Sequence, residues 1–369
     1  MIKRLFVACL ALWIAALAAG GAAADDMQPV RENLGRYHID IRESSVSGLS
    51  AGGGVANQFF VAYSGIMSGV GVFAGGPYGC ARGELLKAVN DCMARPDFLT
   101  PGVMAELKDR ALAYAGNHRI DAVENLKTKK VFLFSGTMDR TVRPAVMDKV
   151  YDWYLSTGVL ASRIHYKKDM AAGHAMPTIN YGNPCGEISS PPWIAACNYD
   201  GAGEALKYIY GTLNPPAPVA GAGGKLIEFA QKDFVDPPAA NPEDLVRETS
   251  LNEFGYAYVP KSCQQGEACR IHVVFHGCRQ IYNRDPGGKD LTQGGRAFGL
   301  QMVLHAGYNE WANTNHIIVL YPQAQKNKVN PNGCFDWWGY LGGAKDVYLT
   351  KDAPQMKAVR AMMKTLSGK

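Results

Sequence analysis

Apolar and polar positions along this chain fall into two spacings, and the switch between them marks the elements. Tyr37 to Val46 carries Ile39, Ile41 and Val46 in an order that predicts a strand, and Val55 to Tyr63 predicts a helix. Ser68 to Gly75 is a short apolar strand. Pro101 to Leu126 reads as helical with a break near Gly116. Lys130 to Ser135 is an unbroken apolar run of the kind a buried strand shows, followed by a helix over Pro144 to Leu155 and a short strand over Arg163 to Tyr166. Asn180 to Asn198 has no period and reads as loop; Ala202 to Leu213 reads as helix. Strands taking turns with helices predict an α/β fold, a mostly parallel central sheet with helices on both faces.

Asn214 to Gly224, Asn-Pro-Pro-Ala-Pro-Val-Ala-Gly-Ala-Gly-Gly, is the one obvious linker. Beyond it the pattern changes. Leu226 to Phe234 and Phe254 to Val259 read as strands of a meander, and Arg270 to Phe275 is a third strand ending at His276-Gly277-Cys278. Gly294 to Ala306 reads as helix and His316 to Tyr321 as strand. Asn330 to Gly343 is a glycine- and aromatic-rich loop, and a helix over Ala353 to Leu366 closes the chain.

The chemistry sits at the joins. Between the first strand and the first helix lies Gly48-Leu49-Ser50-Ala51-Gly52, the G-x-S-x-G pattern of a nucleophile elbow. Small flanking residues let strand and helix approach, and a strained backbone holds the serine hydroxyl out of the turn. A serine needs a base to take its proton, and the base needs a carboxylate to set its tautomer. Asp139 stands after the strand of Val131 to Phe134, and His174 after that of Arg163 to Tyr166. That is the chain order Ser, Asp, His of an α/β-hydrolase, with each group at the end of a strand. Asp139 also reads as a plain turn residue after Ser-Gly-Thr, and Asp169 is the next acid. His276 competes with His174. His38 and His272 sit in predicted strands and could be solvated, while His118, His165, His305 and His316 lack a glycine-rich strand end.

His276-Gly277 suits another role. Such a turn builds the oxyanion hole, whose donors would be the backbone N–H groups of Ala51 and Cys278. In the usual order the His-Gly strand precedes the elbow, whereas here it follows. Exchanging the two halves at Asn214 to Gly224 restores the usual order of every element. The expectation is therefore a circularly permuted α/β-hydrolase fold, one catalytic domain over residues 25–369 with the linker joining the old ends.

Composition alters this picture at the start of the chain and at the cysteines. Lys3 and Arg4, the apolar Leu5 to Ala19 and Ala22-Ala23-Ala24 form an export signal with a cut expected near Ala24, giving a secreted or periplasmic product of about 345 residues. The chain has nine cysteines. Without Cys9 the rest are even in number, which in an exported protein points to disulfides and not to a metal. Neighbours pair naturally as Cys80–Cys92, Cys185–Cys197 and Cys263–Cys269, leaving Cys278 and Cys334, although eight cysteines allow about 105 arrangements. The net charge of +5 falls by two with the signal and demands no polyanion. No nucleic-acid partner, no membrane partner, no metal and no cofactor is expected, and the protein is expected to be a monomer.

Gly48-Leu49-Ser50-Ala51-Gly52-Gly53, Phe275-His276-Gly277-Cys278, Tyr321-Pro322-Gln323 and Cys334-Phe335-Asp336-Trp337 together resemble the catalytic core of poly(3-hydroxybutyrate) depolymerases. The permuted order is similar to that of the fungal single-domain enzyme. The resemblance implies a Ser50, Asp139, His174 triad, Ala51 and Cys278 amides as oxyanion hole, and Trp337 lining the polymer crevice, with Trp338 as the alternative and His276 beside them. The family motif often has tryptophan where Phe335 stands. A polyester or oligoester would be the substrate. Two rivals remain from the sequence: an esterase for feruloyl or acetyl groups, and a hydrolase-fold protein that binds without catalysis.

Overall fold

The computed structural model describes residues 27–282, 298–343 and 346–368. The expected export signal lies outside them, as do positions 294–297 of the helix expected over Gly294 to Ala306. Along the described chain the strands are β1 (Val30–Arg31), β2 (Ser44–Leu49), β3 (Met67–Phe73), β4 (Lys130–Phe134), β5 (Ile164–Lys167), β6 (Met176–Thr178), β7 (Asn183–Pro184), β8 (Ile194–Ala196), β9 (Lys225–Ala230), β10 (Phe254–Val259), β11 (Arg270–Phe275) and β12 (Ile317–Tyr321). Nine of these form one sheet in the order β1-β9-β10-β12-β11-β2-β3-β4-β5. From β12 through β5 every neighbouring pair is parallel. The meander β9-β10-β12 is antiparallel. The fold is a circularly permuted α/β-hydrolase sheet, in which the elbow strand β2 lies directly against β11 from the far half of the chain, Gly48 opposite Phe275.

Parallel strands with both faces covered carry no polar face. The core residues of β4 and all of β12 are accordingly apolar and buried. Strand β2 is covered in the same way but contains three serines, and all six of its residues are buried. The alternation expected over Tyr37 to Val46 marks this strand only in part: Ile39 forms a lone parallel bridge to Cys269, Ile41–Glu43 is a 3-10 turn, and the strand begins at Ser44. The serines survive burial because each has partners. Ser44 Oγ donates to the Ile41 carbonyl at 2.7 Å. Ser45 Oγ meets Tyr210 OH and His272 Nδ1, both at 2.6 Å. Ser47 Oγ meets His272 Nε2 at 2.8 Å and Tyr308 OH at 2.6 Å. Successive residues of a strand face opposite ways. Ser45 and Ser47 therefore look towards the helices Gly201–Tyr210 and Tyr308–Thr314, while Gly48 looks towards the helix after the elbow, α1 (Ala51–Ala62).

His272, which the strand pattern left free to be solvated, is fully buried in that network. His38 is exposed and lies outside the strands. Burial pushes the His272 imidazole down to about 3. A histidine whose folded value lies below its unfolded value takes up a proton on unfolding, so stability is full above about 6.5 and falls as the pH drops towards 3. Over that window its contribution approaches ~1.4 kcal/mol lost per pH unit. Burial of Asp336, which holds its carboxyl up at about 6, acts in the opposite sense and offsets part of the loss. Denaturant unfolding of His272→Gln at pH 7 and pH 4.5 is expected to show a flatter pH dependence than the wild type. Identical slopes in the two proteins would remove His272 from the acid response.

Other elements depart from expectation in definable ways. The stretch 180–198 is not bare loop: β6, β8 and β7 make a small parallel sheet. Strands this short leave too few residues for a period to register. The helix from Pro101 ends at Gly116, as its break predicted, and 3-10 structure over Val123–Thr128 follows. The linker is tied down. Its Asn214 N–H donates to Asn315 Oδ1 at 2.7 Å, Thr314 Oγ1 donates to the Pro215 carbonyl at 2.9 Å, and Val219 is buried. Among the described residues no helix is long and apolar enough to cross a membrane.

Candidate active site

Two glycines set the elbow. A Cβ on Gly48 would run into the Gly52 carbonyl and come within 2.8 Å of the Phe275 oxygen. A Cβ on Gly52 would run into the Phe275 carbonyl and lie 2.5 Å from that of His276. Real Cβ atoms do not approach backbone oxygens so closely, so α1 can press onto β2 and β11 only without side chains there. Helix α1 starts immediately at Ala51, earlier than the helical pattern from Val55 predicts, because the glycines that hide the period are required by this approach. Ser50 stands at its N-cap with φ 58 and ψ −122, a strained backbone for a non-glycine residue. Its N–H donates to the Phe73 carbonyl at 2.8 Å, which holds the turn against β3.

Asp139 and His174 come from adjacent loops zipped together by backbone. Thr137 N–H donates to the Met170 carbonyl at 2.8 Å and Met138 N–H to that of Ala172 at 3.1 Å. His174 Nδ1 lies 2.8 Å from Asp139 Oδ2, and both side chains are buried. The other carboxylate oxygen, Oδ1, accepts from Thr141 N–H at 2.8 Å and Val142 N–H at 2.9 Å. A carboxylate at that distance puts the imidazole proton on Nδ1 and leaves Nε2 free to act as base. The rival Asp169 is exposed and pairs with Lys167 at 2.9 Å.

His276 is buried and fully engaged. Its Nε2 accepts from Ala324 N–H at 3.0 Å, so its Nδ1 carries the proton and donates to the Gly277 carbonyl at 2.8 Å. Burial drives its imidazole down to about 4, against the opposing effect of that backbone bond. It is therefore a neutral brace for the turn, unsuited to a base at neutral pH. Gln280 braces the same turn from the other side. Its Oε1 accepts from Gly277 N–H at 2.7 Å, and its Nε2 donates to the Pro192 carbonyl at 3.0 Å. The Cys278–Cys334 disulfide closes 56 residues around it, a closure worth about 4 kcal/mol on the chain-entropy model. The three local cysteine pairs are joined as the sequence order indicated.

A cavity of about 260 Å³ is lined by Leu49, Ser50, Thr141, His174, Ser189, Trp193, Gly277, Cys278, Arg279 and Gln280. Front and back halves of the chain thus share one wall, and a Cβ built on Gly277 would sit 3.4 Å from that of Ser50. Ala51 N–H belongs to the first turn of α1, where helical N–H groups lack internal acceptors. Among the described residues no hydrogen bond uses the N–H of Ala51 or of Cys278. The wall does not include Trp337, Trp338 or His276. Trp337 is half-buried over the first turn of α1, Trp338 is buried against Tyr340, and His276 lies behind the turn. The aromatic on the wall is Trp193, whose Nε1 donates to Ser189 Oγ at 3.1 Å. It was legible only as an aromatic after Pro191-Pro192 in a cysteine-bracketed loop. Arg279 gave no sequence signal. No cluster of metal-ligating side chains occurs among the described residues.

Known proteins bear on this geometry. No family model matches the chain. The chain is 40% identical over 338 residues to a poly(3-hydroxybutyrate) depolymerase of Delftia acidovorans, covering 91% of this chain but only 62% of that protein. It is 36% identical over 352 residues to a polyhydroxybutyrate depolymerase of Talaromyces funiculosus, covering 90% of this chain and 91% of that protein. Among solved structures, a serine-to-alanine variant of a PHB depolymerase complexed with an R3HB trimer superposes with a TM-score of 0.76 at 32% identity, covering 91% of this chain and 99% of that one. The PHB depolymerase from Penicillium funiculosum superposes with a TM-score of 0.75 at the same identity and coverage.

Proposed function

The chain belongs to the poly(3-hydroxybutyrate) depolymerase family, and from that premise we propose that it is a serine esterase cleaving the ester bonds of poly(3-hydroxybutyrate) or of its oligomers. The observation that carries the reading is the strained Ser50 sharing one cavity with an imidazole already oriented by Asp139. Ser50 Oγ attacks the ester carbonyl carbon while His174 Nε2 takes its proton. The carbonyl oxygen becomes an oxyanion and accepts from the Ala51 and Cys278 N–H groups. The tetrahedral adduct collapses, His174 protonates the departing alkoxide, and the alcohol-ended product leaves. Water, deprotonated by His174, attacks the acyl-enzyme; collapse of that adduct releases the acid and returns the proton to Ser50.

Each oxyanion donor is worth about 3 kcal/mol of barrier in such sites. The Gly277-Cys278 turn is braced by His276, Gln280 and a disulfide, so these donors are held in place before the substrate arrives. We further propose a single catalytic domain behind an export segment, acting outside the cytoplasm as a monomer; four disulfides support that location.

Product analysis after incubation with poly(3-hydroxybutyrate) film, with 3-hydroxybutyrate oligomers and with feruloyl esters tests the substrate. Release of 3-hydroxybutyrate acids is expected from the first two. Turnover of the feruloyl ester alone would instead favour the carbohydrate-esterase reading. Labelling of Ser50 by a fluorophosphonate is expected, and an unlabelled protein would favour a binding protein without catalysis.

A further inference from the structure

The polyester repeat is uncharged, yet the cavity wall carries a permanent cation. Arg279 is exposed, and it follows Cys278, the proposed oxyanion donor. Its place is built. Its backbone adopts φ 67, its N–H donates to the Asn332 carbonyl at 2.7 Å, and its Nε donates to Asn332 Oδ1 at 3.1 Å. The residue before it is held by the Cys278–Cys334 disulfide. Those contacts anchor the stem and one edge of the guanidinium. Among the described residues no carboxylate pairs with this group, so its terminal N–H donors are left for a ligand. Asp139, the acid nearest in role, is occupied by His174, Thr141 and Val142.

Distance favours a role in the reaction. Gly277 packs against Ser50, and two residues of chain span at most about 7 Å. An arginine side chain starting there reaches a group one hydroxyalkanoate unit away from the attacked carbonyl. In the interior of a polymer that position holds another neutral ester. At the acid end of an oligomer it holds a free carboxylate, which a guanidinium fork grips with two N–H donors.

We propose that Arg279 is a specificity residue that binds the terminal carboxylate of short hydroxyalkanoate acids, placing the last ester bond over Ser50. The assignment rests on the esterase reading above. It makes soluble oligomer acids, the products of earlier cuts, better substrates than their neutral counterparts.

The test compares the 3-hydroxybutyrate trimer as free acid and as methyl ester, in the wild type, Arg279→Gln and Arg279→Lys. The acid-to-ester ratio of kcat/KM is expected to fall about tenfold in Arg279→Gln, through KM for the acid, and to recover in part in Arg279→Lys. Added salt is expected to lower the wild-type ratio. A wild type that hydrolyses both forms without preference, or a Gln variant that loses both equally, overturns the role of Arg279 alone. A wild type that hydrolyses neither overturns the esterase reading, and this inference with it.

Discussion

Ser50→Ala is expected to give a folded protein whose ester hydrolysis falls by roughly 10⁶-fold. The loss is large on the proposed mechanism because Ser50 would act as one unit with His174, and nothing else on the cavity wall replaces it. Thr141 and Ser189 also line the cavity, but neither has the elbow's strained backbone or its position at the start of α1. Folding is spared because Ser50 Oγ makes no hydrogen bond among the described residues, so its removal orphans no partner. Alanine also accepts the same backbone at similar cost. The measurement is steady-state turnover of a soluble oligomer, with thermal unfolding run beside it. Turnover within a thousandfold of the wild type, in a protein with unchanged melting behaviour, would refute Ser50 as nucleophile.

Gly52→Ala is expected to have the second large effect, this time through the backbone. The added methyl has no space: the Phe275 and His276 carbonyls already occupy it. Both belong to the end of β11 and the His276-Gly277 turn, so α1 must move off the sheet or the turn must open. Overpacking against backbone costs about 3 kcal/mol or more, since a carbonyl cannot change rotamer to escape. Either movement displaces Ala51 N–H relative to Cys278 N–H. Molecules that do fold should therefore lose about 10²-fold in kcat. Gly54→Ala is the control within the same turn. Its methyl would meet the Trp337 Cβ at 3.5 Å, an ordinary contact, and a helical alanine in place of glycine gains about 0.5–1 kcal/mol. Chemical denaturation of the two variants is expected to shift in opposite directions. A Gly52→Ala protein as stable and active as the wild type would show that close packing of α1 on β11 is dispensable.

The two variants separate what could be seen along the chain from what could not. The elbow was visible because its demand is local: small residues around a serine, between a strand and a helix. Asp139 and His174 were visible because strand ends in a parallel sheet share one edge, which turns chain order into spatial proximity. The permutation was visible for the same reason, since β11 must neighbour β2 for His276-Gly277 to meet Ser50, and the register pairs Phe275 with Gly48.

Other features had no local signature. Nothing along the chain links Ser45, Ser47 and His272 to Tyr210 and Tyr308, which arrive from distant helices to satisfy them. Trp193 lines the cavity beside Ser50, and nothing local in the chain marked it, because which ring faces that cavity is decided by how two loops dock.

By itself, then, the amino-acid order determined most of the succession of elements, the elbow, and the chain order of Ser50, Asp139 and His174 at strand ends. These follow from periodicity and strand ends, which act over a few residues. Tertiary structure alone decided which side chains share the cavity and that the linker is bound down at Asn214 and Pro215. Those outcomes depend on contacts between residues far apart in the chain, where packing and hydrogen-bond satisfaction choose among partners that local pattern leaves equivalent.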